Sequence, residues 1–469
     1  MPHNVGMIRQ IAGDIHTVGM ALLQAGKTRE AAFQFRKALA MTPDFADAVI
    51  SLGYCLHQLG KYDEAVLVYD AALEGTPTLV VAWNNRGNAL LKLCRYAAAA
   101  ESYSRALELA PELHDTRVAL ATCYQALGLV KEAMGACETV LKAAPGHAEA
   151  HWNRALLLLL KGDYRDGWRE YEWRWRKRNF TSPQRDFPQP RWQGEPVAGK
   201  TILVHAEQGF GDMLQFCRYI PLVAALGAKV VFECHPPLVA LMESLAGGDV
   251  SVVAMGEPLP LFDLQAPLMS LAMIFDTTVE TIPCDVPYLA PPGGRLPFWQ
   301  SQIIDSRCFK IGLCWAGKRY PDPGRSCPAE LLAMLAEIPG VSWYSLQVGW
   351  GDALPLVMSD LTAHIRDFGD TAALVAQFDL IITVDTAVAH LAGAMGKECW
   401  VMLPNAPDWR WLLGRGDSPW YPTMRLFRQR EVGAWRDVIR QVREALKDEL
   451  CRTRSDWHEA NWTERDTWT

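Results

Sequence analysis

PDFADAVISLGYCLHQLGKYDEAVLVYDAALEGT, residues 43–76, is one period of the pattern that decides the fold of the first third of the chain. The proline that opens it returns every 34 residues, at Pro43, Pro77, Pro111 and Pro145. An alanine lies twelve residues before each proline, and an aromatic residue or cysteine lies four residues after each alanine: Ala31, Ala65, Ala99 and Ala133, then Phe35, Tyr69, Tyr103 and Cys137. A small residue precedes each alanine by twelve positions: Gly19, Gly53, Gly87 and Ala121. Small residues let two helices approach closely, and proline ends the second helix, so the pattern predicts antiparallel helix pairs.

A fixed 34-residue period of this kind resembles the tetratricopeptide repeat. Four units exceed the roughly three that a stable stack needs. A fifth unit begins at Ala148, but Gly167 takes the place of its alanine and Asn179 that of its proline. We therefore predict an all-α solenoid over residues 1–180, closed by a capping helix, whose surface binds a protein partner or acceptor.

An aromatic stripe marks the predicted cap. Trp168, Tyr171 and Trp175 lie at helical spacing and form one face. We expect this stripe to pack the last helix onto the next domain. Binding of a sugar or a peptide is the alternative.

The bulk composition excludes several classes of protein. Half of the 469 residues are hydrophobic and 21% are charged, with a net charge of −7, so the chain lacks the basic footprint of a nucleic-acid binder. The longest apolar run, residues 156–160, is too short to span a bilayer. Twelve cysteines occur without a C-x-x-C pair, which indicates free thiols in a reducing compartment. We expect a cytoplasmic protein without an integral membrane segment.

The remainder of the chain alternates apolar strands with helices, which is typical of parallel sheets covered on both faces. Residues 181–199, rich in proline and glutamine, are predicted to be a linker. We predict an α/β region of two doubly wound, Rossmann-like lobes, with this order of segments: lobe 200–290, proline-rich hinge 291–309, lobe 310–447 with a closing helix, and polar tail 448–469. The predicted strands are 201–205, 229–233, 310–315, 342–346, 380–384, 399–403 and 424–428. Ligands of such sheets bind at the carboxyl ends of the strands.

The first candidate motif follows the strand at 201–205. Gln208, Gly209 and Gly211 form a glycine turn that lets a ligand approach the backbone, and Asp212 opens the next helix. The turn lacks the third glycine of a dinucleotide fingerprint. Asp212 is a candidate catalytic carboxylate, and capping of the helix is the alternative.

The second candidate motif follows the strand at 380–384. Asp385 ends that strand, Thr386 opens a helix, and His390 lies four residues on, on the same helical face. A helix start with exposed N–H groups suits a diphosphate. The alternative is that Asp385 or Thr386 caps the helix and that His390 is an interior histidine.

Two further loops carry candidate residues. Lys318 and Arg325 stand near a glycine turn after the strand at 310–315, and cations in such a place suit a pyrophosphate. A solvated basic loop has the same composition. Trp409 belongs to an aromatic loop, where it stacks on a base or sugar or packs as part of a lid.

HAEQGFGD at residues 205–212 and DTAVAHLAGA at residues 385–394 together resemble glycosyltransferase family 9. The best-known members of that family are the ADP-heptose:lipopolysaccharide heptosyltransferases, and the similarity covers about residues 200–446. Fusion to tetratricopeptide repeats is similar to a bacterial subgroup of glycosyltransferases and to the O-linked N-acetylglucosamine transferases, which act on protein hydroxyls. The resemblance implies the two-lobed GT-B fold.

The resemblance also implies roles for residues of this chain. Asp212 matches the general base that acts on the acceptor hydroxyl, while the residues that match donor-binding positions are Lys318 or Arg325, Asp385, Thr386 and His390. The candidate substrate contacts are Gln208, Gly209, Gly211 and Trp409. The implied reaction is a metal-independent hexosyl or heptosyl transfer, without a cofactor, from a nucleoside-diphosphate sugar such as ADP-heptose to a protein or glycan hydroxyl. Ala387 stands where the family has glycine.

Two alternatives remain open at the level of sequence. One is a catalytically inactive scaffold whose repeats bind proteins, and the other is a nucleotide-sugar epimerase on the same fold. The sequence identifies neither the sugar nor the nucleotide nor the acceptor.

Overall fold

The computed structural model describes residues 2–303, 308–318 and 323–453, and its first compact unit, which extends to Leu157, is built of helix pairs. The helices of this unit are α1 (Pro2–Gln24), α2 (Thr28–Met41), α3 (Ala46–Gln58), α4 (Tyr62–Gly75), α5 (Val80–Lys92), α6 (Tyr96–Leu109), α7 (His114–Ala126), α8 (Val130–Ala143) and the first part of α9 (Ala148–Lys161). From α1 to α8 each helix packs on the next one along the chain, and buried residues of α8 pack against Ala150 and Leu157 of α9. This arrangement is the predicted all-α solenoid.

Tight turns with one left-handed residue join the helices of each pair. Gly26, Gly60 and Gly128 have φ angles of 74°, 73° and 75°. Cys94 holds the same place in the third repeat with a φ of 58°. Glycine adopts this conformation without a steric penalty, whereas a side chain at Cys94 strains the turn.

The small residues of the repeat lie where two helices cross. The alanines that precede each proline by twelve residues are fully buried: Ala31, Ala65, Ala99 and Ala133. A Cβ atom on Gly87 would lie 2.6 Å from the ring of Tyr103, which is also fully buried. The expected close approach of two helices at a small residue is thus seen at Gly87, where α5 lies against the ring of Tyr103 on α6.

The second compact unit, from Leu158 on, contains two separate parallel sheets. The first sheet has the order β3-β2-β1-β4, with β1 (Thr201–His205), β2 (Lys229–Cys234), β3 (Val250–Ala254) and β4 (Leu264–Pro267). Leu203 of the central strand pairs with Val231 on one side and Gln265 on the other. The helices of this part are α10 (Tyr164–Tyr171), α11 (Phe210–Phe216), α12 (Ile220–Ala225), α13 (Val239–Met242) and α14 (Leu271–Ile274).

The second sheet has six parallel strands in the order β10-β9-β8-β5-β6-β7. The strands are β5 (Phe309–Cys314), β6 (Val341–Ser345), β7 (Ser359–Asp360), β8 (Leu380–Val384), β9 (Cys399–Leu403) and β10 (Met424–Arg428). The helices are α15 (Leu296–Gln302), α16 (Phe368–Val375), α17 (Ala387–Ala394) and α18 (Trp435–Thr453). Every residue of β8 and β9 is buried, as expected for central strands of a covered parallel sheet.

Several elements differ from the sequence-based expectation. Strands β3, β4 and β7 are additional, and α15 forms inside the proline-rich segment predicted to be a hinge. The helix after β1 is divided at a short 3-10 turn before Pro221, which lacks the N–H that would continue the ladder. The predicted tail begins as the end of α18, and residues 454–469 lie outside the described residues.

Residues of the predicted linker lie against the first sheet. Arg191 forms a parallel bridge with Gln265, and the Trp192 backbone N–H donates to the Gln265 carbonyl at 2.8 Å. The indole of Trp192 is buried. This segment therefore covers the free edge of β4.

Within the described ranges, no helix has both the length and the apolar character that crossing a bilayer demands.

Candidate functional site

The two candidate motifs meet in the second unit, although each belongs to a different sheet. The glycine turn follows central strand β1, and Asp385 follows central strand β8, so both lie at the carboxyl ends of parallel strands. Helices α11 and α17, which begin at these two places, pack against each other. A Cβ atom on Gly211 would lie 3.0 Å from Cδ2 of His390 and 3.8 Å from Cα of Ala387. Gly211 therefore permits the close approach of the two motifs.

The turn before α11 is held by polar contacts on all sides. Gln208 has a φ of 61°, a left-handed conformation that is rare for a residue with a side chain. Its backbone N–H donates to Ser182 Oγ at 2.6 Å, its side-chain amide donates to the Tyr171 hydroxyl at 2.7 Å, and its carbonyl oxygen lies 3.0 Å from Nε2 of His235. Strained backbone that is held by its surroundings in this way is concentrated at functional sites.

Asp212 has two structural partners, one for each carboxylate oxygen. Oδ2 accepts a hydrogen bond from the Gly209 N–H at 2.8 Å, which caps the start of α11. Oδ1 accepts a hydrogen bond from Nη2 of Arg410, a residue of the second sheet's loop 404–423. Asp212 is thus a helix cap, the alternative considered from sequence, and at the same time one half of an ion pair with Arg410.

Arg410 is the residue of the site that the sequence pattern did not single out. Its three donor groups reach Asp212, Asp408 Oδ1 at 2.9 Å and Gln215 Oε1 at 2.6 Å, and its guanidinium lies 4.3 Å from the ring centre of Trp409. Burial would lower the pKa of Arg410, but the charges of Asp408 and Asp212 outweigh burial and raise that pKa above its ordinary value. The guanidinium is therefore a fixed positive charge between the two motifs.

The start of α17 brings two further candidate residues together. Thr386 precedes the helix in an extended conformation, and its hydroxyl lies 3.1 Å from that of Thr383. His390 is buried, with Nδ1 2.9 Å from the Tyr421 hydroxyl and its ring stacked on Trp411 at 5.6 Å and an angle of 17°. Burial, together with the positive charges of Arg410, Arg218 and Arg325, holds the pKa of His390 well below its usual range. His390 is consequently a neutral hydrogen-bonding group near pH 7.

Asp385 has an unusual protonation equilibrium. Removal from water raises its pKa to about 6, and the negative charge of Asp408 adds to this effect. The positive charges of Arg410 and Arg325 act in the opposite direction. Carboxyls with pKa values displaced towards neutrality are enriched in functional sites.

The two cations expected near the glycine turn of 315–318 differ in their placement. Arg325 lies against this turn, because a Cβ atom on Gly317 would meet its Nε at 2.6 Å. Within the described residues, Nε of Arg325 is buried without a hydrogen-bond partner, while Nη2 donates to the Lys318 carbonyl at 3.3 Å. The side chain of Lys318 is exposed. The turn that Arg325 contacts follows β5, whose last residue Cys314 has its Sγ 3.9 Å from the Thr386 hydroxyl, so Arg325 lies near the start of α17.

Trp409 lies in an aromatic core of the second unit, where it is only 3% exposed. Its ring is 5.2 Å from Trp168 and 6.1 Å from Trp420, and one face is covered by Arg410. This placement favours the packing interpretation of the aromatic loop over direct stacking on a substrate. Trp168 and Tyr171 of the predicted stripe pack in the same core, which also agrees with the packing interpretation.

A neighbour of the first motif has a structural role. Glu207 is 1% exposed and accepts two hydrogen bonds of 2.9 Å from the fully buried guanidinium of Arg174. Its Oε1 also accepts from the Met269 N–H at 2.7 Å. A buried carboxylate needs such partners, so this pair anchors the turn that carries Gln208 to Asp212.

Comparison with known proteins identifies repeats in the N-terminal part of the chain. Residues 18–79 and 118–167 match one tetratricopeptide repeat model, and residues 80–113 match a second. The Parabacteroides merdae tetratricopeptide repeat protein of known structure is 20% identical, with 35% of this chain and 65% of that chain covered and a TM-score of 0.33. MamA from Desulfovibrio magneticus RS-1 is also 20% identical, with 34% and 91% covered and a TM-score of 0.33.

A curated relative covers more of the chain. The protein FlbA of Caulobacter vibrioides is 29% identical in an alignment of 356 residues, with 69% of this chain and 59% of FlbA covered. The chain thus spans a little under three fifths of the length of the relative that it matches. The N-terminal part of the protein consists of tetratricopeptide repeats, and its homology to FlbA extends over most of the chain.

Proposed function

We propose that the second unit is a metal-independent glycosyltransferase of the GT-B type, which moves a sugar from a nucleoside-diphosphate sugar to a hydroxyl group. The observation that carries the proposal is the meeting of the two motifs at the carboxyl ends of β1 and β8. There, Asp212 of one motif and the start of α17 from the other lie in one cluster with Arg410 and Arg325. A carboxylate opposite a cationic helix start suits transfer between a hydroxyl and a leaving diphosphate.

The chemistry divides between the two motifs. Asp212 accepts the proton of the acceptor hydroxyl as the oxygen forms its bond to the anomeric carbon of the sugar. The bond between that carbon and the diphosphate oxygen breaks, and the nucleoside diphosphate leaves with the electron pair. Backbone N–H groups at the start of α17 and the Arg325 guanidinium stabilise the negative charge that develops on the leaving group. The neutral imidazole of His390 and the hydroxyl of Thr386 supply hydrogen bonds to the donor.

The repeats supply protein interaction. Tetratricopeptide arrays present extended surfaces that bind other proteins, and the family matches place such an array in the first third of this chain. We propose that this array recruits a protein acceptor or a partner that carries the acceptor.

One observation favours the second candidate, a protein-binding scaffold that lacks catalysis. Both oxygens of Asp212 are engaged in structural contacts, one with the Gly209 N–H in the helix cap and the other with Arg410 in an ion pair. Equilibrium binding of a panel of nucleotide sugars separates the candidates, because a scaffold has no selective donor.

The test of the transferase is the variant Asp212→Asn. Asparagine keeps an oxygen for the Gly209 N–H, so the helix cap and the fold are retained. General-base assistance contributes about 10²- to 10⁴-fold, so we expect turnover to fall by that factor while donor affinity is not weakened. Asp417→Asn is the matched control, since Asp417 pairs with Arg415 in the same loop as Arg410 and is largely exposed. Full activity of Asp212→Asn in a donor-consumption assay would show the assignment to be wrong.

A further inference from the structure

The guanidinium of Arg410 is anchored on two sides that belong to different parts of the second unit. Asp408 precedes it by two residues, and Oδ1 of Asp408 accepts from both Nη1 at 2.9 Å and the Arg410 backbone N–H at 3.0 Å. Asp212 and Gln215 lie on α11, which follows the first sheet. The contacts to Asp408 are local to the loop, whereas the contacts to α11 depend on tertiary structure. Partner exchange at Nη2 therefore leaves the local anchor intact.

The conformation of this loop has features of a strained segment. Residues 409–411 form one 3-10 turn, and Leu412 follows with φ of 52° and ψ of −173°. That region of backbone space is sparsely populated by residues other than glycine. Gln208, on the other side of the ion pair, is a second left-handed residue. Left-handed residues therefore flank the Arg410–Asp212 contact on both sides.

Arg410 also lies close enough to the start of α17 to attract an anion bound there. The guanidinium lowers the pKa of both His390 and Asp385, which are the residues of the second motif. Arg325 acts on the same two residues, and its Nε is one of the described buried nitrogen atoms that lack a hydrogen-bond partner. Both guanidiniums also lie near the second motif in space: Trp411, which follows Arg410, stacks on His390, and Arg325 contacts the turn after Cys314, whose Sγ lies 3.9 Å from the Thr386 hydroxyl.

We propose that Arg410 is a switched residue, which pairs with Asp212 in the donor-free protein and turns Nη2 to the diphosphate when the donor binds, so that Asp212 is released as the base. This inference rests on the proposed function of the two motifs. A diphosphate carries more negative charge than one carboxylate and offers several oxygens to a guanidinium, so it competes effectively for Nη2. Arg410 then contributes to stabilisation of the leaving group, and the carboxylate is available only after the donor has arrived.

The exchange accounts for the engaged carboxylate. In the observed ion pair, Arg410 masks Asp212. With a donor, one hydrogen bond of the Arg410 guanidinium moves, while those to Asp408 and Gln215 remain. The order of events is donor first and activation of the acceptor hydroxyl second.

The experiment measures the binding of inorganic pyrophosphate to the full-length protein by isothermal titration calorimetry, without divalent metal. Pyrophosphate reports on the diphosphate position alone, independently of sugar and base. If Asp212 competes with the diphosphate for Arg410, Asp212→Asn removes the competitor, and we expect pyrophosphate to bind about tenfold more tightly than to wild type. Arg410→Gln removes the cation, and we expect binding about tenfold weaker.

The double variant and two controls complete the design. In Asp212→Asn combined with Arg410→Gln, the gain from Asp212→Asn disappears, because that gain acts through Arg410. The two controls disrupt another ion pair of the same loop, in which Nε and Nη2 of Arg415 donate to Oδ1 and Oδ2 of Asp417 at 2.7 and 2.6 Å. We expect Arg415→Gln and Asp417→Asn to bind pyrophosphate with wild-type affinity.

The outcomes separate this inference from the proposed function. Wild-type or weaker affinity in Asp212→Asn overturns the switch and makes Arg410 a static bridge, while a donor-consumption assay with the nucleotide-sugar panel still decides the transferase. Absence of pyrophosphate binding in both wild type and Asp212→Asn also overturns the switch. Tighter binding in Asp212→Asn that is lost in the double variant supports the switch, whether or not a donor has been identified.

Discussion

Gly211→Ala tests the contact on which the whole site depends, the meeting of α11 and α17. The added Cβ would lie 3.0 Å from Cδ2 of His390, where an ordinary carbon contact is 3.4–4 Å. His390 has little room to move away, because its ring is stacked on Trp411 and its Nδ1 lies 2.9 Å from the Tyr421 hydroxyl. The substitution therefore has to displace one of the two helices by several tenths of an ångström.

The expected magnitude is a balance of two effects. Overpacking of a close contact costs about 1–3 kcal/mol. Replacement of glycine by alanine in a helix returns about 0.5–1 kcal/mol, because glycine loses more backbone entropy on folding. The net expectation is a destabilisation of about 1 kcal/mol, which corresponds to a fall of about 2 °C in the melting temperature of a unit of this size.

Hydrogen exchange of the full-length protein, read by mass spectrometry, localises the effect. We expect faster exchange in peptides from α11 and α17 and unchanged exchange in the repeats. Gly135→Ala is the matched control, since Gly135 lies within α8 and a Cβ there would meet nothing within 4 Å. That control should be slightly more stable than wild type. Unchanged exchange in α11 and α17 of Gly211→Ala, with an unchanged melting temperature, would refute the close packing of the two motifs.

Two further substitutions test separate parts of the molecule. Gly87→Ala would place a Cβ 2.6 Å from the buried ring of Tyr103, whose hydroxyl donates to Asn88. We therefore expect the free energy of unfolding to fall by about 1–3 kcal/mol, with faster hydrogen exchange in α5 and α6. Wild-type exchange in these two helices would contradict the assigned helix crossing. Asp385→Asn removes a carboxyl whose pKa burial raises from 3.8 to about 6, so that the folded protein retains a proton which the unfolded chain releases between these values. Wild-type stability therefore falls as pH rises from about 4 to about 6, and the melting temperature of Asp385→Asn should exceed that of wild type near pH 7.5 and approach it near pH 4. A constant difference across this range would show that Asp385 ionises normally.

The parts of the fold that sequence predicts are those whose signals are local. A repeat buries its core between neighbouring helices, so the spacing of Pro43 and its equivalents is sufficient to predict the solenoid. Strands β8 and β9 have the predicted bounds, because strands covered on both faces are continuous apolar runs. The sequence does not predict β3, since its residues are only half-buried, or β4, which has four residues and ends at Pro267.

The sequence predicts the two motifs of the candidate site, but it does not predict Arg410, the residue that joins them. Asp212 and His390 each follow a strand, so strand order alone places them at carboxyl ends. Arg410 lies between two tryptophans in a loop, and its partners on α11 are nearly 200 residues earlier in the chain. A charged residue in such a loop is ordinarily exposed. Only the tertiary structure shows that this one is buried as the bridge between the motifs.

The segment after the repeats shows why a period in sequence does not define a domain. The 34-residue period continues through Ala155 and Gly162, and this continuation extended the predicted solenoid to residue 180. The structure divides the chain at Leu157, within α9, and assigns α10 to the unit that contains the site. Tyr171 at the end of α10 accepts from Gln208, and Arg174 pairs with the buried Glu207. A repeat period indicates which helices pair locally, whereas a buried ion pair indicates which segments depend on each other in the folded structure. Removal of Arg174 would leave Glu207 as an uncompensated buried charge beside the turn that bears Asp212.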